Sequence, residues 1–155
     1  MNLNKVAIVY ISYTNNTKLV AESIKKYLVD SVKVDVFNFK DDFNLEDYDF
    51  VFLGCFTWDK GTIPTAYRRF LKNILVENHI RNQYFSVFGT GDTQWGELYC
   101  RAVDEMEYHL NKQGKTVIEK LKIEQKPISN YNQNIIKEYV NKIKKEVIRL
   151  NDKSN

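Results

Sequence analysis

Three aliphatic hydroxyls and two amides stand close together in one short segment, the Ser12 loop. Its members are Ser12, Tyr13, Thr14, Asn15, Asn16 and Thr17. The segment follows an apolar run and precedes a helical pattern, so the free N–H groups of a helix N-terminus would add to these donors and form an anion site. It contains no lysine, which argues against a triphosphate loop ending in Gly-Lys-Ser/Thr. A monophosphate is the anion that we expect; an ordinary helix N-cap is the structural alternative.

Both tryptophans of the chain fall in two further loops. The Trp58 loop, residues 57–62, includes Thr57, Trp58, Asp59, Lys60 and Gly61. The Trp95 loop, residues 89–96, includes Gly89, Thr90, Gly91, Asp92, Trp95 and Gly96. Glycines let a backbone approach a ligand closely, and two indole rings across a cleft would form a stacking slot for a flat ring. With the Ser12 loop, they indicate a flat aromatic ligand that bears a phosphate.

The elements that must position these loops alternate along the chain. Five apolar runs predict strands, at Lys5–Ile11, Lys33–Phe39, Phe50–Cys55, Tyr84–Gly89 and Thr116–Ile123. Apolar residues at helical spacing lie between and after them, with Leu98, Ala102, Met106 and Leu110 marking one long helix. This alternation predicts an α/β fold, a doubly wound parallel sheet with helices on both faces. Ligands bind such sheets at the carboxyl ends of the strands, where the three loops lie.

Composition limits the class of protein. The 155 residues are 43% apolar and 28% charged, and no Pro/Gly/Ser linker or repeat divides them, so residues 1–155 are expected to form a single domain. No apolar run has the ~20 residues of a membrane span and no signal peptide is seen, which points to the cytoplasm. Residues 112–155 carry 11 Lys and Arg against 5 Asp and Glu, spread along an amphipathic pattern. We interpret them as a solvated helix face, not as a surface for nucleic acid or a membrane.

Metal chemistry is not indicated. Cys55 and Cys100 have no metal-ligand spacing and no disulfide framework, and both stand beside apolar runs. We expect two buried free thiols.

These motifs resemble the flavodoxin family over nearly the whole chain. The family's phosphate loop reads Ser/Thr-x-Thr-Gly-x-Thr, which the Ser12 loop matches except for Asn15 in place of Gly. The stretch YDFVFLGCFTWDKGTIP is similar to the family's third strand and first flavin loop, and VFGTGDTQW to its second. EKLKIE followed by a helix is similar to a flavodoxin end, and no long insertion in the fifth strand makes the chain similar to short-chain members.

The resemblance implies a five-stranded sheet in the order 2-1-3-4-5 and one non-covalent FMN. The Ser12 loop would hold its phosphate, Trp58 and Trp95 would flank the isoalloxazine, and the backbone of Thr90–Asp92 would meet the pyrimidine edge. We expect Tyr99 to touch the flavin as well. The implied function is a low-potential electron carrier, a monomer between a flavodoxin reductase and acceptor enzymes, with no catalytic residues of its own. Carboxylates are expected to keep the flavin region negative, at Asp59, Asp92, Glu97, Asp104 and Glu105.

Two other functions stay open at this point. GDTQWGELYCRAVD has one residue more than flavodoxins usually have, and its spacing is similar to the Gly-Asn-x-Asn-aromatic-Gly loop of the flavodoxin-like activators of class Ib (dimanganese) ribonucleotide reductases. Against that alternative, Asp92 and Gln94 replace both asparagines. An FMN-dependent quinone reductase would need a nicotinamide site, for which the sequence shows no second fingerprint. A receiver-like domain would need an acidic cluster after the first strand, where the Ser12 loop has no acid.

Overall fold

Strands and helices alternate along the chain as the sequence predicts. The computed structural model describes residues 4–57, 61–76, 84–124 and 129–154. The strands are β1 (Lys5–Tyr10), β2 (Lys33–Asn38), β3 (Phe50–Phe56), β4 (Tyr84–Gly91) and β5 (Thr116–Glu124). The helices are α1 (Asn16–Leu28), α2 (Thr65–Val76), α3 (Arg101–Lys112) and α4 (Asn130–Ser154), and short 3₁₀ segments lie at Leu45–Asp47 and Thr93–Leu98. None of the helices in these ranges has the length and apolarity to cross a membrane.

The five strands form one parallel sheet in the order β2-β1-β3-β4-β5, which confirms the predicted fold class. Its central strands are mostly apolar because helices cover both faces. Successive residues of β1 serve different cores: Val6 and Ile8 pack with α1 and α4, whereas Ala7 and Val9 pack with α2 and α3. The reversal of strand order lies between β1 and β3, so the loops that follow them open at the crevice where such folds bind ligands.

Strand β4 runs two residues further than predicted. Gly89 pairs with Cys55 on one side and Lys122 on the other, and the pairing with β5 continues to Gly91. The sequence suggested a loop because glycine is a poor strand former, but hydrogen bonding on both sides of the strand overrides that preference. Gly89 also has no room for a side chain, since a Cβ there would lie 2.4 Å from the carbonyl oxygen of Cys55.

A β-bulge interrupts β5 opposite the middle of β4. Phe85 pairs with Val117 and Val87 pairs with Lys120, so two residues of β5 stand opposite Ser86, and Glu119 has a positive φ of 60°. The Ser86 hydroxyl donates to the carbonyl oxygen of Glu119 at 2.9 Å, and it also hydrogen-bonds the Tyr139 hydroxyl. Burial raises the pKa of Tyr139, so this hydroxyl stays protonated and donates to Ser86. The bulge is therefore stabilised by a chain of three hydrogen-bonded groups, of which Ser86 and Tyr139 are buried.

We expect Ser86→Ala to destabilise the apoprotein by about 2 kcal/mol, because it leaves the buried Tyr139 hydroxyl without its partner and removes the bond to the Glu119 carbonyl. Tyr139→Phe keeps the Ser86–Glu119 bond and should cost about 1 kcal/mol or less. Urea unfolding of the two variants and the wild type measures both values. Equal losses would show that the hydroxyl chain does not support the bulge.

Candidate functional site

A cleft of about 420 Å³ opens at the carboxyl ends of β1, β3 and β4. This volume lies within the range of about 300–1,000 Å³ that is usual for cofactor and small-ligand sites. Its lining residues are Tyr13, Thr14, Asn16, Phe56, Thr57, Gly61, Thr90, Gly91, Asp92, Trp95, Leu98, Tyr99 and Cys100. They come from all three loops singled out in the sequence, so the fold brings the three loops to one place.

The Ser12 loop ends in a helix start whose N-cap residue, Asn15, forms no side-chain cap. Asn15 precedes α1 with φ 69° and ψ −8°, a left-handed conformation that Asn adopts more readily than most residues, and its side chain caps no amide. Of the amides at this helix start, Lys18 N–H donates to Ser12 Oγ at 3.4 Å. The first turn of α1 therefore presents N–H groups that a bound anion can accept from, and it carries no acidic residue.

One buried hydrogen bond connects the helix start to β4. The hydroxyls of Thr17 and Thr90 are 3.1 Å apart, and both side chains are buried. Thr90 lines the cleft, whereas Thr17 lies beneath it. This bond holds the start of α1, where an anion would bind, at a fixed distance from the end of β4.

The Trp95 loop continues beyond β4 as a 3₁₀ segment. The Asp92 carboxylate accepts from the backbone N–H of Gln94 at 3.0 Å and from its side-chain amide at 2.8 Å. Gly96 takes a positive φ of 55°, and the Trp95 side chain is 62% exposed although it lines the cleft. This exposed indole ring is free to stack on a planar ligand.

Helix α3 begins later than the sequence predicts. The apolar spacing assigned Leu98 to this helix, but Cys100 has φ 49° in the left-handed region and the helix starts at Arg101. The Cys100 thiol lies 3.7 Å from the Gly89 carbonyl oxygen and 3.8 Å from that of Ile123, which ties the helix start to β4 and β5. Thr57 Oγ1 accepts from Ala102 N–H at 3.2 Å and so anchors the end of β3 as well.

Both cysteines are free and buried, as predicted. Burial raises the pKa of Cys100 to about 11 and that of Cys55 well above its ordinary value. The Cys100 thiol thus contributes no charge to the cleft near neutral pH. Burial raises the pKa of Tyr99 too, so its phenol is also neutral.

The charge around the cleft is smaller than expected from the sequence. Among the described lining residues, Asp92 is the one charged side chain. Asp104 pairs with Lys120 at 3.1 Å and with Lys122 at 2.6 Å, and these lysines hold the pKa of its carboxyl below the ordinary value. Glu105 pairs with Arg68 at 3.0 Å. Neighbouring cations therefore largely neutralise two carboxylates that were expected to make this region negative.

The structure brings most of the predicted site residues together, and some lie apart from the cleft. Ten of them line it: Tyr13, Thr14, Asn16, Thr57, Gly61, Thr90, Gly91, Asp92, Trp95 and Tyr99. Five others are not among its lining residues, namely Ser12, Asn15, Thr17, Gly89 and Gly96. Trp58, Asp59 and Lys60 lie outside the described residues.

Three further lining residues were not among the predicted ones: Phe56, Leu98 and Cys100. Phe56 ends β3, and its ring centroid is 6.1 Å from that of Tyr13. An aromatic residue directly before the Trp58 loop could have suggested its role. Leu98 gave no such signal because apolar spacing assigned it to a helix, and Cys100 was expected only to be a buried free thiol.

Comparison with known proteins finds flavodoxins that are similar to this chain in sequence and in structure. A family model described as flavodoxin matches residues 8–138. The "probable flavodoxin 2" of Bacillus subtilis is 32% identical over 128 residues, which are 79% of this chain and 83% of that protein. The crystal structure of oxidised flavodoxin 2 from Bacillus cereus has a TM-score of 0.79 and 29% identity, and covers 92% of this chain and 99% of its own. A Fusobacterium nucleatum flavodoxin bound to flavin mononucleotide has the same TM-score at 19% identity, over 92% of this chain and 98% of its own, and shows likeness of fold.

We expect Asn15→Ala to destabilise the protein by about 1 kcal/mol, because alanine tolerates the left-handed conformation less well. Asn15→Gly should cost little, since glycine adopts this conformation freely. Urea unfolding of the apoprotein distinguishes the two. A larger loss in the glycine variant would mean that the Asn15 side chain, rather than the backbone, supports the loop.

Proposed function

This chain belongs to the flavodoxin family, and we propose that its cleft holds FMN with the phosphate at the Ser12 loop and the isoalloxazine beside Trp95. Flavodoxins are FMN-carrying electron-transfer proteins, so this chain is an electron carrier rather than an enzyme with its own substrate. The observation that carries the proposed placement is the start of α1, which Asn15 does not cap, at one end of a largely aromatic and neutral cleft.

The phosphate end depends on neutral donors. The first-turn amides of α1 and the hydroxyl and amide side chains of Thr14 and Asn16 line this end. A helix N-terminus stabilises an anion through its free N–H groups and its positive dipole end. The described lining supplies no cation, so we expect these neutral donors to carry phosphate binding.

The ring end combines apolar surfaces with backbone polar groups. Phe56, Trp95, Leu98 and Tyr99 supply apolar contact area, and the end of β4 at Thr90 and Gly91 offers backbone N–H and C=O groups. Flat heteroaromatic rings bind well to such aromatic walls. A Cβ on Gly91 would lie 3.0 Å from the Cys100 sulfur, so glycine lets the end of β4 pack closely against the start of α3. We propose Trp58 as the second flanking ring on the family pattern alone.

FMN supplies the redox chemistry when it is bound, and the protein sets access and charge. The Asp92 carboxylate lines the cleft and makes additional negative charge beside it unfavourable. That effect disfavours the fully reduced, negatively charged cofactor and favours a low potential. The exposed Trp95 edge leaves room for a partner to approach.

The chain works with redox partners, as its family does. Its resemblance to part of the flavoprotein component of an NADPH sulfite reductase, 28% identical over 19% of that protein's length, supports reductases as one class of partner. We propose a flavodoxin reductase as donor and acceptor enzymes as recipients. We further propose that residues 1–155 act as one domain, as a monomer, in the cytoplasm.

Anaerobic stepwise reduction of the purified protein tests this function. We expect the apoprotein to bind one FMN and the complex to take up two electrons at well-separated, low potentials. Failure to bind FMN would contradict the cofactor assignment. Two potentials close together, with rapid reaction of the reduced protein with oxygen, would instead favour the ribonucleotide reductase activator.

We expect Thr14→Val to weaken FMN binding about tenfold, because it removes a hydroxyl that would donate to a charged phosphate. Fluorescence titration of the apoprotein with FMN measures the change. Thr116→Val, at the opposite end of the sheet where β5 begins, is the matched control and should bind like the wild type. Riboflavin, which lacks the phosphate, should bind both variants and the wild type equally. A Thr14→Val effect on riboflavin as large as on FMN would place the hydroxyl away from the phosphate.

A further inference from the structure

The Thr93–Leu98 segment, which carries Trp95, has few contacts of its own. Its residues are exposed or half-buried, and a Cβ placed on Gly96 would meet nothing within 4 Å. The described hydrogen bonds around it are mostly local. Asp92 accepts from Gln94, Trp95 N–H donates to the Asp92 carbonyl at 3.1 Å, and Tyr99 N–H donates to the Gly96 carbonyl at 3.0 Å. A segment with so little burial opens easily unless another element holds it.

Glu124, the last residue of β5, supplies such a hold. Its Oε1 accepts the backbone N–H of Thr93 at 2.7 Å, and of the described hydrogen bonds this one joins the segment to a different element. Glu124 pairs with Gly91 in the sheet, so its carboxylate extends past the end of β4 to the first residue of the segment. Burial is the main cause of the raised pKa values of Tyr99 and Cys100, and the negative charge of Glu124 adds a smaller increase to each, which places it near two residues that line the cleft.

The side-chain direction of Glu124 follows from the bulge in β5. Beyond the bulge, Leu121 and Ile123 pack into the core formed with α1 and α4, whereas Lys120 and Lys122 reach Asp104 of α3. Glu124 is two residues after Lys122 and therefore points to the α3 side of the sheet, where the segment lies. Without the bulge this carboxylate would point to the opposite face.

We propose that Glu124 is a positioning residue that tethers the Thr93–Leu98 segment over the bound cofactor and slows cofactor release. The tether is a carboxylate–amide hydrogen bond, which is stronger than one between neutral groups. When it breaks, the segment and Trp95 swing away from the cleft. This inference rests on the proposed function, since it takes FMN to be the occupant of the cleft.

Three variants test the tether. Glu124→Ala removes the acceptor and should speed FMN release about tenfold, whereas Glu124→Gln keeps an oxygen acceptor and should stay within about threefold of the wild type. Glu97→Ala is the matched control, because Glu97 is an exposed carboxylate of the same segment. Its release rate should equal that of the wild type. Stopped-flow flavin fluorescence after a large dilution of the holoprotein measures all four rates.

A second measurement uses the apoprotein. The Thr93 amide should lose about tenfold of its hydrogen-exchange protection in Glu124→Ala and none in Glu97→Ala. The urea midpoint of the apoprotein should stay unchanged in both, which a general stabilising role of Glu124 would not allow. The inference is overturned by unchanged release and exchange in Glu124→Ala, by equal effects in the Glu97 control, or by a parallel loss of stability. If the wild type binds no FMN, the proposed function fails together with the inference. This result differs from failure of the inference alone, because it is seen in the wild type before any substitution is made.

Discussion

The pairing of β4 with both of its neighbours, continued to its final residues, is the constraint on which the rest of the site depends. A parallel strand covered on both faces and bonded on both sides has little freedom to move. Each part of the cleft is attached to the last three residues of this strand. Thr90 bonds Thr17 at the start of α1, Gly89 bonds the Cys100 thiol, and Gly91 stands opposite Glu124. The loops are short and polar, but the positions from which they start are rigid.

The cleft separates two kinds of binding chemistry. One end has the dipole and amides of a helix start, and the other has aromatic side chains with a single carboxylate among the described lining residues. A ligand with a phosphate at one end and a flat ring at the other satisfies both. Because none of the described lining residues is a cation, the proposed phosphate site depends on backbone geometry. That geometry in turn depends on the left-handed conformation of Asn15.

The fold could be predicted from sequence because each buried strand is a short apolar run and each helix has an apolar stripe. The three loops could be located for the same reason, since carboxyl ends of parallel strands meet at one edge. Three features could not be predicted from local sequence patterns. Pairing with the neighbouring strands extends β4 to Gly91, a left-handed Cys100 delays the start of α3, and lysines on β5 neutralise Asp104. Each results from a contact between residues distant in the chain, which propensity and spacing do not report.

The bulge in β5 fixes which side chains of this strand face each side of the sheet. In a regular strand, side chains alternate between the two faces, and one extra residue exchanges the faces for everything that follows. Here that exchange sends Leu121 and Ile123 into the core and sends Lys120, Lys122 and Glu124 to the other side. Insertion or loss of a single residue downstream of Glu119 would bury the charges and expose the aliphatic side chains. Over evolutionary time, this stretch can therefore change its residue types, but it can change its length only by two residues at a time.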